Sequence, residues 1–147
     1  MFTCWWFVNG KLDCNNNKLT TLEGCPSSVM GSFDCGYNEL KNLIGCPLII
    51  TGHFDCSGNE LTDLVGCSGE IGSAYYCSNN RLTSLEGCPE SVGGDFGCHT
   101  NNLIESDIFL YDYTSEQIRQ YYNCKNLSEK LVGELVESVD LVKKKKI

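Results

Sequence analysis

The chain has 147 residues, 41% of them hydrophobic, and a formal net charge of −8. That suits one domain with its own core, and excludes both wholesale disorder and a phosphate-gripping surface, which needs clustered Lys and Arg. No apolar run approaches the roughly 20 residues of a membrane span. The opening MFTCWWFVNG lacks the basic start and small-residue cleavage site of a secretory signal, so a cytoplasmic protein is expected.

Residues 1–11 read as half of a repeating unit, an N-terminal cap. Cys4, Val8 and Gly10 fall in columns that continue downstream, and Trp5 stands where later units have Pro26, Pro47 and Pro89. An open solenoid end must be covered, so Trp5, Trp6 and Phe7 are expected to form a lid; an exposed aromatic hot spot is the alternative.

Residues 12–103 carry four full repeats and the start of a fifth, with a step of 21 residues. Asn17, Asn38, Asn59, Asn80 and Asn101 share one column, and Leu19, Leu40, Leu61, Leu82 and Leu103 another. A period of this length marks a solenoid whose coils bury their apolar sides only against one another. The stretch Ser32-Phe33-Asp34-Cys35-Gly36 alternates as a short half-buried strand does, with Phe33 and Cys35 inward and Ser32, Asp34 and Gly36 outward. Asn38 turns the chain; a buried amide must find hydrogen bonds, here in its own turn and in the next coil. Leu40 and Leu43 return to the core and Gly45-Cys46-Pro47 makes a second corner. The short return arm carries Pro and Gly, so irregular or 3₁₀ structure is expected there.

Ten of the eleven cysteines fall into two columns, Cys14 to Cys98 and Cys4 to Cys88; Cys124 stands outside them. Without zinc spacing, ladders of reduced thiols in the core are the plain reading, with disulfides or a metal as alternatives.

The segment F-x-C-x-x-N-x-L-x-x-L, with Phe33, Cys35, Asn38 and Leu40 in its leading positions, resembles the leucine-rich repeat of the short bacterial and viral class. The trailing L-x-G-C-P is similar to repeats in proteins of large tailed bacteriophages. The resemblance implies an arc with a short parallel sheet on its concave face; with the irregular convex side and a C-terminal helical cap read from the residues, the expected fold is an α+β solenoid. The resemblance also implies that the concave face binds other proteins. The chain departs from the pattern at Ser68 and at Ser73, so residues 71–74 are expected to bend differently from their neighbours.

Residues 104–147 read as the helical cap with a basic tail. Thr114 and Gln117 resemble a capping box, Ser128 is a second N-cap, and Leu131, Leu135, Val139 and Val142 recur at helical spacing before Lys143 to Lys146. The tail is read as a solvated helix end, with contact to an acidic partner or a phosphate as the alternative.

The candidate binding residues lie on the outward strand positions: Asp13, Asp34, His53, Asp55, Tyr76, Ser78, Asp95 and His99. Asp13, Asp34 and Asp55 form a carboxylate ladder, which either meets a basic partner surface or is a screened product of duplication. Paired carboxylates on a shallow sheet lack the pocket that acid–base catalysis needs, and His53 with Asp55 is a thin metal set. No enzyme, cofactor, nucleic-acid or membrane partner is expected. The expected function is non-enzymatic: recognition of a partner protein, such as a bacterial host or defence protein blocked by a phage chain in the host cytoplasm. The alternative is an assembly protein that oligomerises through the C-terminal helix or the solenoid ends.

Overall fold

The structure is a computed structural model that describes residues 6–67, 69–89 and 92–103, with positions 137 and 144 beyond them. The helical cap, Trp5, Cys124 and the lysine tail as a whole lie outside this described part, as does Ser68.

The repeats wind into a parallel β-solenoid of about four turns. Each full coil contributes two strands of two residues. The strands, in chain order, are β1 (Phe7–Val8), β2 (Leu12–Asp13), β3 (Ser28–Val29), β4 (Phe33–Asp34), β5 (Ile49–Ile50), β6 (Phe54–Asp55), β7 (Glu70–Ile71), β8 (Tyr75–Tyr76) and β9 (Phe96–Gly97). Sheet I has the order β1-β3-β5-β7, and sheet II the order β2-β4-β6-β8-β9. Every pairing is parallel, and the register is one full repeat: Phe33 lies beside Phe54, and Val29 beside Ile50.

Sheet I corrects the expected irregular side. The return arm holds a second parallel ladder because Val29, Ile50 and Ile71 point inward and bring β-branched side chains to a pleated surface. Alternation over two residues is too short to register as a strand in the sequence. Ser73 likewise departs from expectation. Its N–H donates to the Gly52 carbonyl at 3.1 Å, as Gly52 N–H donates to Gly31 at 2.8 Å, so the ladder continues unbroken.

The core is a set of stacked columns. Phe33, Phe54 and Tyr75 are fully buried, and their rings follow one another at 5.4 and 5.3 Å between centroids, with Phe96 a further 5.2 Å on. Burial of each such side chain contributes about 1.5–3 kcal/mol, and the ring pairs, two stacked and the Phe54–Tyr75 pair edge-on, add to it. Leu22, Leu43, Leu64 and Leu85 fill another column.

The Asn column ties the coils together. Asn59 Nδ2 donates to Cys56 O and Ser57 O in its own turn and to Cys35 O one coil back, while its Oδ1 accepts Leu40 N–H at 3.0 Å. Asn38, Asn80 and Asn101 repeat this set. The expectation held for the Asn's own turn, but the second coil it reaches is the preceding one. Asn17, in the first coil, bonds only its own turn.

Two corners need special backbone. Gly45 has φ 91°, and a Cβ there would lie 2.6 Å from the Leu22 carbonyl carbon, so the coil spacing itself requires glycine. One position before the Asn column, Asn16, Tyr37, Asn79 and Thr100 all take φ between 51° and 55°. Asn tolerates that left-handed region; a bulky Tyr and a β-branched Thr do not.

Trp6 and Phe7 are 45% and 65% exposed and do not form the expected lid. Phe7 occupies the outward position of β1, beside Ser28.

Candidate interaction face on sheet II

Sheet II places Asp13, Asp34, Asp55 and Tyr76 in one row, each residue paired with the next in the ladder. Adjacent strands lie about 4.8 Å apart, so the carboxylates stand one above another. Stacked like charges repel, and the structure shows what offsets the repulsion. Asp13 Oδ1 accepts Asn15 N–H, Asp34 Oδ1 accepts Gly36 N–H at 3.1 Å, and Asp55 Oδ1 accepts Ser57 N–H at 2.8 Å. Each Asp thus closes its own turn from position i to i+2, the local habit of this residue.

The lower end of the row is also neutralised in part. Lys11 Nζ donates to Asp13 Oδ2 at 2.7 Å and stands 3.9 Å from Asp34 Oδ2. Asn15 Nδ2 donates to both Asp13 Oδ1 and Asp34 Oδ2. The Lys11 bond, helped by Asn15 N–H, holds the Asp13 carboxyl below its usual range, and the same bond raises the Lys11 ammonium. Asp55 differs: among the described residues, its Oδ2 accepts no hydrogen bond. Within the Asp row the carboxylate oxygen left without a hydrogen bond is therefore on Asp55; Asp95, beside β9, accepts none at either oxygen among the described residues.

His53 lies beside the row. Ser32 Oγ accepts His53 N–H at 3.2 Å and lies 2.9 Å from Nδ1. Ser78 Oγ accepts His99 N–H at 3.1 Å. Asp95 and His99 are exposed on either side of β9, and Tyr76 is half-buried. All eight anticipated residues share this face. On the same face Ala74 and Ser57 are each 8% exposed, and Gly36 is buried with its open side toward the Asp34 and Asp55 carboxylates. Lys11 and Asn15 join this face without having been among the candidate residues. Their spacing of two from Asp13, within one strand and its flanks, is the signal that sets them on the same side.

The cysteine columns lie behind this sheet. Among the described residues Cys14, Cys25, Cys35, Cys46, Cys56, Cys67 and Cys77 are free thiols, and Cys98 is disulfide-bonded. Burial pushes the thiols of Cys35, Cys56 and Cys77 up and raises half-buried Cys14 to about 11. Such thiols are protonated and inert at neutral pH. The hydroxyl of Tyr75 is buried among Cys56, Cys67, Cys77 and Cys46 and has no hydrogen-bond partner. Among the described residues no group of three or more His, Cys, Asp or Glu is placed to hold a metal ion. Nor is any of their helices long and apolar enough to cross a membrane.

The fold and this face define a parallel β-solenoid bearing a polar ladder along one sheet. Comparison of the chain with protein-family models, curated proteins and solved structures finds no match.

Proposed function

We propose that the chain is a non-enzymatic interaction module of leucine-rich-repeat type, which holds a basic patch of a partner protein against sheet II. The observation that carries this reading is the unbonded Oδ2 of Asp55, standing in a register-locked row between Asp34 and Tyr76 with His53 alongside. An Arg fork binds carboxylate geometry of this kind with two parallel bonds, and an adjacent aromatic ring adds stacking. The repeats also carry most of the acidity. Residues 1–103 hold four basic and eleven acidic side chains, a net of −7. Complementary charge of this kind sets on-rate and partner choice. The similarity of the L-x-G-C-P style to tailed-phage repeats supports a bacterial host or defence protein as the target, blocked by steric occupation.

Charge reversal is a poor test, because Asp34 and Asp55 also close their own turns. Asp55→Asn keeps the acceptor for Ser57 N–H and removes the charge. Capture from bacterial lysate with the intact chain and with Asp34→Asn, Asp55→Asn should show a partner held by the former and lost by the latter, more readily in salt. A partner retained equally by both chains would move the site off sheet II.

A further inference from the structure

Cys98 differs from the rest of its column. Cys14, Cys35, Cys56 and Cys77 are thiols, while Cys98, in the coil of β9, is disulfide-bonded. It is also fully buried, whereas Cys14 at the other end of the column is half-buried. The bond runs to another of the chain's eleven cysteines, and most of them are excluded in turn. The seven thiols named above drop out first. Cys88 stands to Cys98 as Cys67 stands to Cys77 and Cys46 to Cys56, pairs that the repeat places alike and that do not bond across the core. Cys88 also ionises as a thiol does, since its charge is among the causes that raise Cys77.

Cys4 is too far away. Trp6 O accepts Ser27 N–H at 3.1 Å, which fixes residue 6 in the first coil. Val8, two residues on, lies four ladder steps from Val92 in the coil of Cys98, about 19 Å. The two residues of chain before Trp6 reach at most about 7 Å, and the Cα atoms of a disulfide lie within about 7 Å of each other. Cys124 remains. A second observation falls on the same coil. Each earlier coil is held by the Asn of the next: the N–H groups of Leu19, Leu40, Leu61 and Leu82 are met by Asn38, Asn59, Asn80 and Asn101. One step beyond Asn101 the chain has Tyr122. The Asn column stops in the coil where the disulfide stands.

We propose that Cys98 pairs with Cys124, and that this disulfide is a redox-sensitive clasp giving the β9 coil the fastening that a following Asn gives the others. Closing it needs an electron acceptor, and a small-molecule disulfide serves. The thiolate of one cysteine attacks that disulfide and releases a small thiol, leaving a mixed disulfide. The thiolate of the other cysteine attacks the mixed bond and releases the second small thiol. Two cysteine protons end on the two small thiols, and the two electrons reduce the small disulfide. An excess of small thiol runs the exchange backwards. The closed loop from 98 to 124 restricts the open chain and so holds the coil. Asp95 and His99 belong to this coil, so reduction loosens that end of sheet II first. The inference does not depend on what sheet II binds.

The full chain, equilibrated with oxidised glutathione, is unfolded, alkylated and digested without reductant. Mass spectrometry should find a peptide pair linked through Cys98 and Cys124, with two fewer cysteines alkylated than the eleven present. Amide exchange of the folded chain then reads the clasp. Dithiothreitol, or Cys124→Ser, should speed exchange in residues 92–103 by about tenfold or more and leave residues 33–61 unchanged. Dithiothreitol should add nothing to Cys124→Ser, which a merely structural cysteine would not predict. If Cys124→Ser fails to fold, the wild type with and without dithiothreitol carries the same test. Cys98 linked to any other partner overturns the proposal. So do eleven alkylated cysteines, or exchange in residues 92–103 that is indifferent to reductant.

Discussion

The Asn corner and the outer side of sheet I belong to the same coils and follow opposite rules. At the corner the residue is identical in every coil, and in the interior coils its amide is 8% exposed with both ends bonded to backbone. On sheet I the outward residue changes from Phe to Ser to Ile to Glu, while the inward neighbour stays Val or Ile. Repetition follows the places where a side chain bonds one coil to another. Where the backbone ladder already makes every bond, the outward side chain is free to vary and can serve a partner.

The sharpest way to break this contrast is Asn59→Ala. It strips the bonds to Cys35, Cys56 and Ser57 and leaves Leu40 N–H buried without an acceptor. Unmade buried bonds cost about 1–3 kcal/mol each, so a loss of about 3 kcal/mol or more is expected in urea unfolding. Asn17→Ala, which touches only its own turn, should cost about 1 kcal/mol. Equal losses would show that the link between coils adds nothing.

The next effect is alkaline. The folded thiols titrate above their ordinary value of 9.0, with Cys14 at about 11. The unfolded chain therefore loses protons first. Stability is fully present below about pH 9 and is lost as pH rises through 11 and beyond. Melting temperatures recorded from pH 7 to 11 should be flat and then fall; a profile that stays flat to pH 11 would mean that the thiols are not buried.

Tyr75→Phe removes the unpartnered hydroxyl from the ring stack without changing the ring. It should stabilise the chain by about 1 kcal/mol, read as a raised melting temperature. Tyr37→Asn relieves a bulky residue held at φ 51° and uses the side chain found there in the first and fourth coils. A gain of about 0.5 kcal/mol is expected, since the left-handed region disfavours side chains other than Gly, Asn and Asp. Smallest of all is Ile49→Ser, which should change monomer stability by less than about 0.5 kcal/mol because its site is at the surface. A larger loss there would mean that sheet I is held by its outer face as well as its inner one.

Much of this could be read from the sequence. The 21-residue step fixed the inward columns, and the need to satisfy a buried amide gave the Asn turn its role. The second sheet was hidden because two-residue strands beside Gly and Pro leave no alternation to see. The left-handed column was hidden because Tyr37 and Thr100 are not residues that advertise it. At the candidate face, the row of carboxylates was visible from spacing alone. Its neutralisation at one end by Lys11 and Asn15, which singles out Asp55, depends on side-chain reach that the repeat pattern does not encode.

The backward reach of the Asn column bears on how the chain is made. Leu19 N–H is met by Asn38, 19 residues later, and Leu40 N–H by Asn59. A coil emerging from a ribosome is therefore unfinished until most of the next repeat has been synthesised. Each new Asn locks the coil before it, so the solenoid matures one repeat behind the growing end. A stalled or shortened chain would always carry one loose final coil, whatever its length.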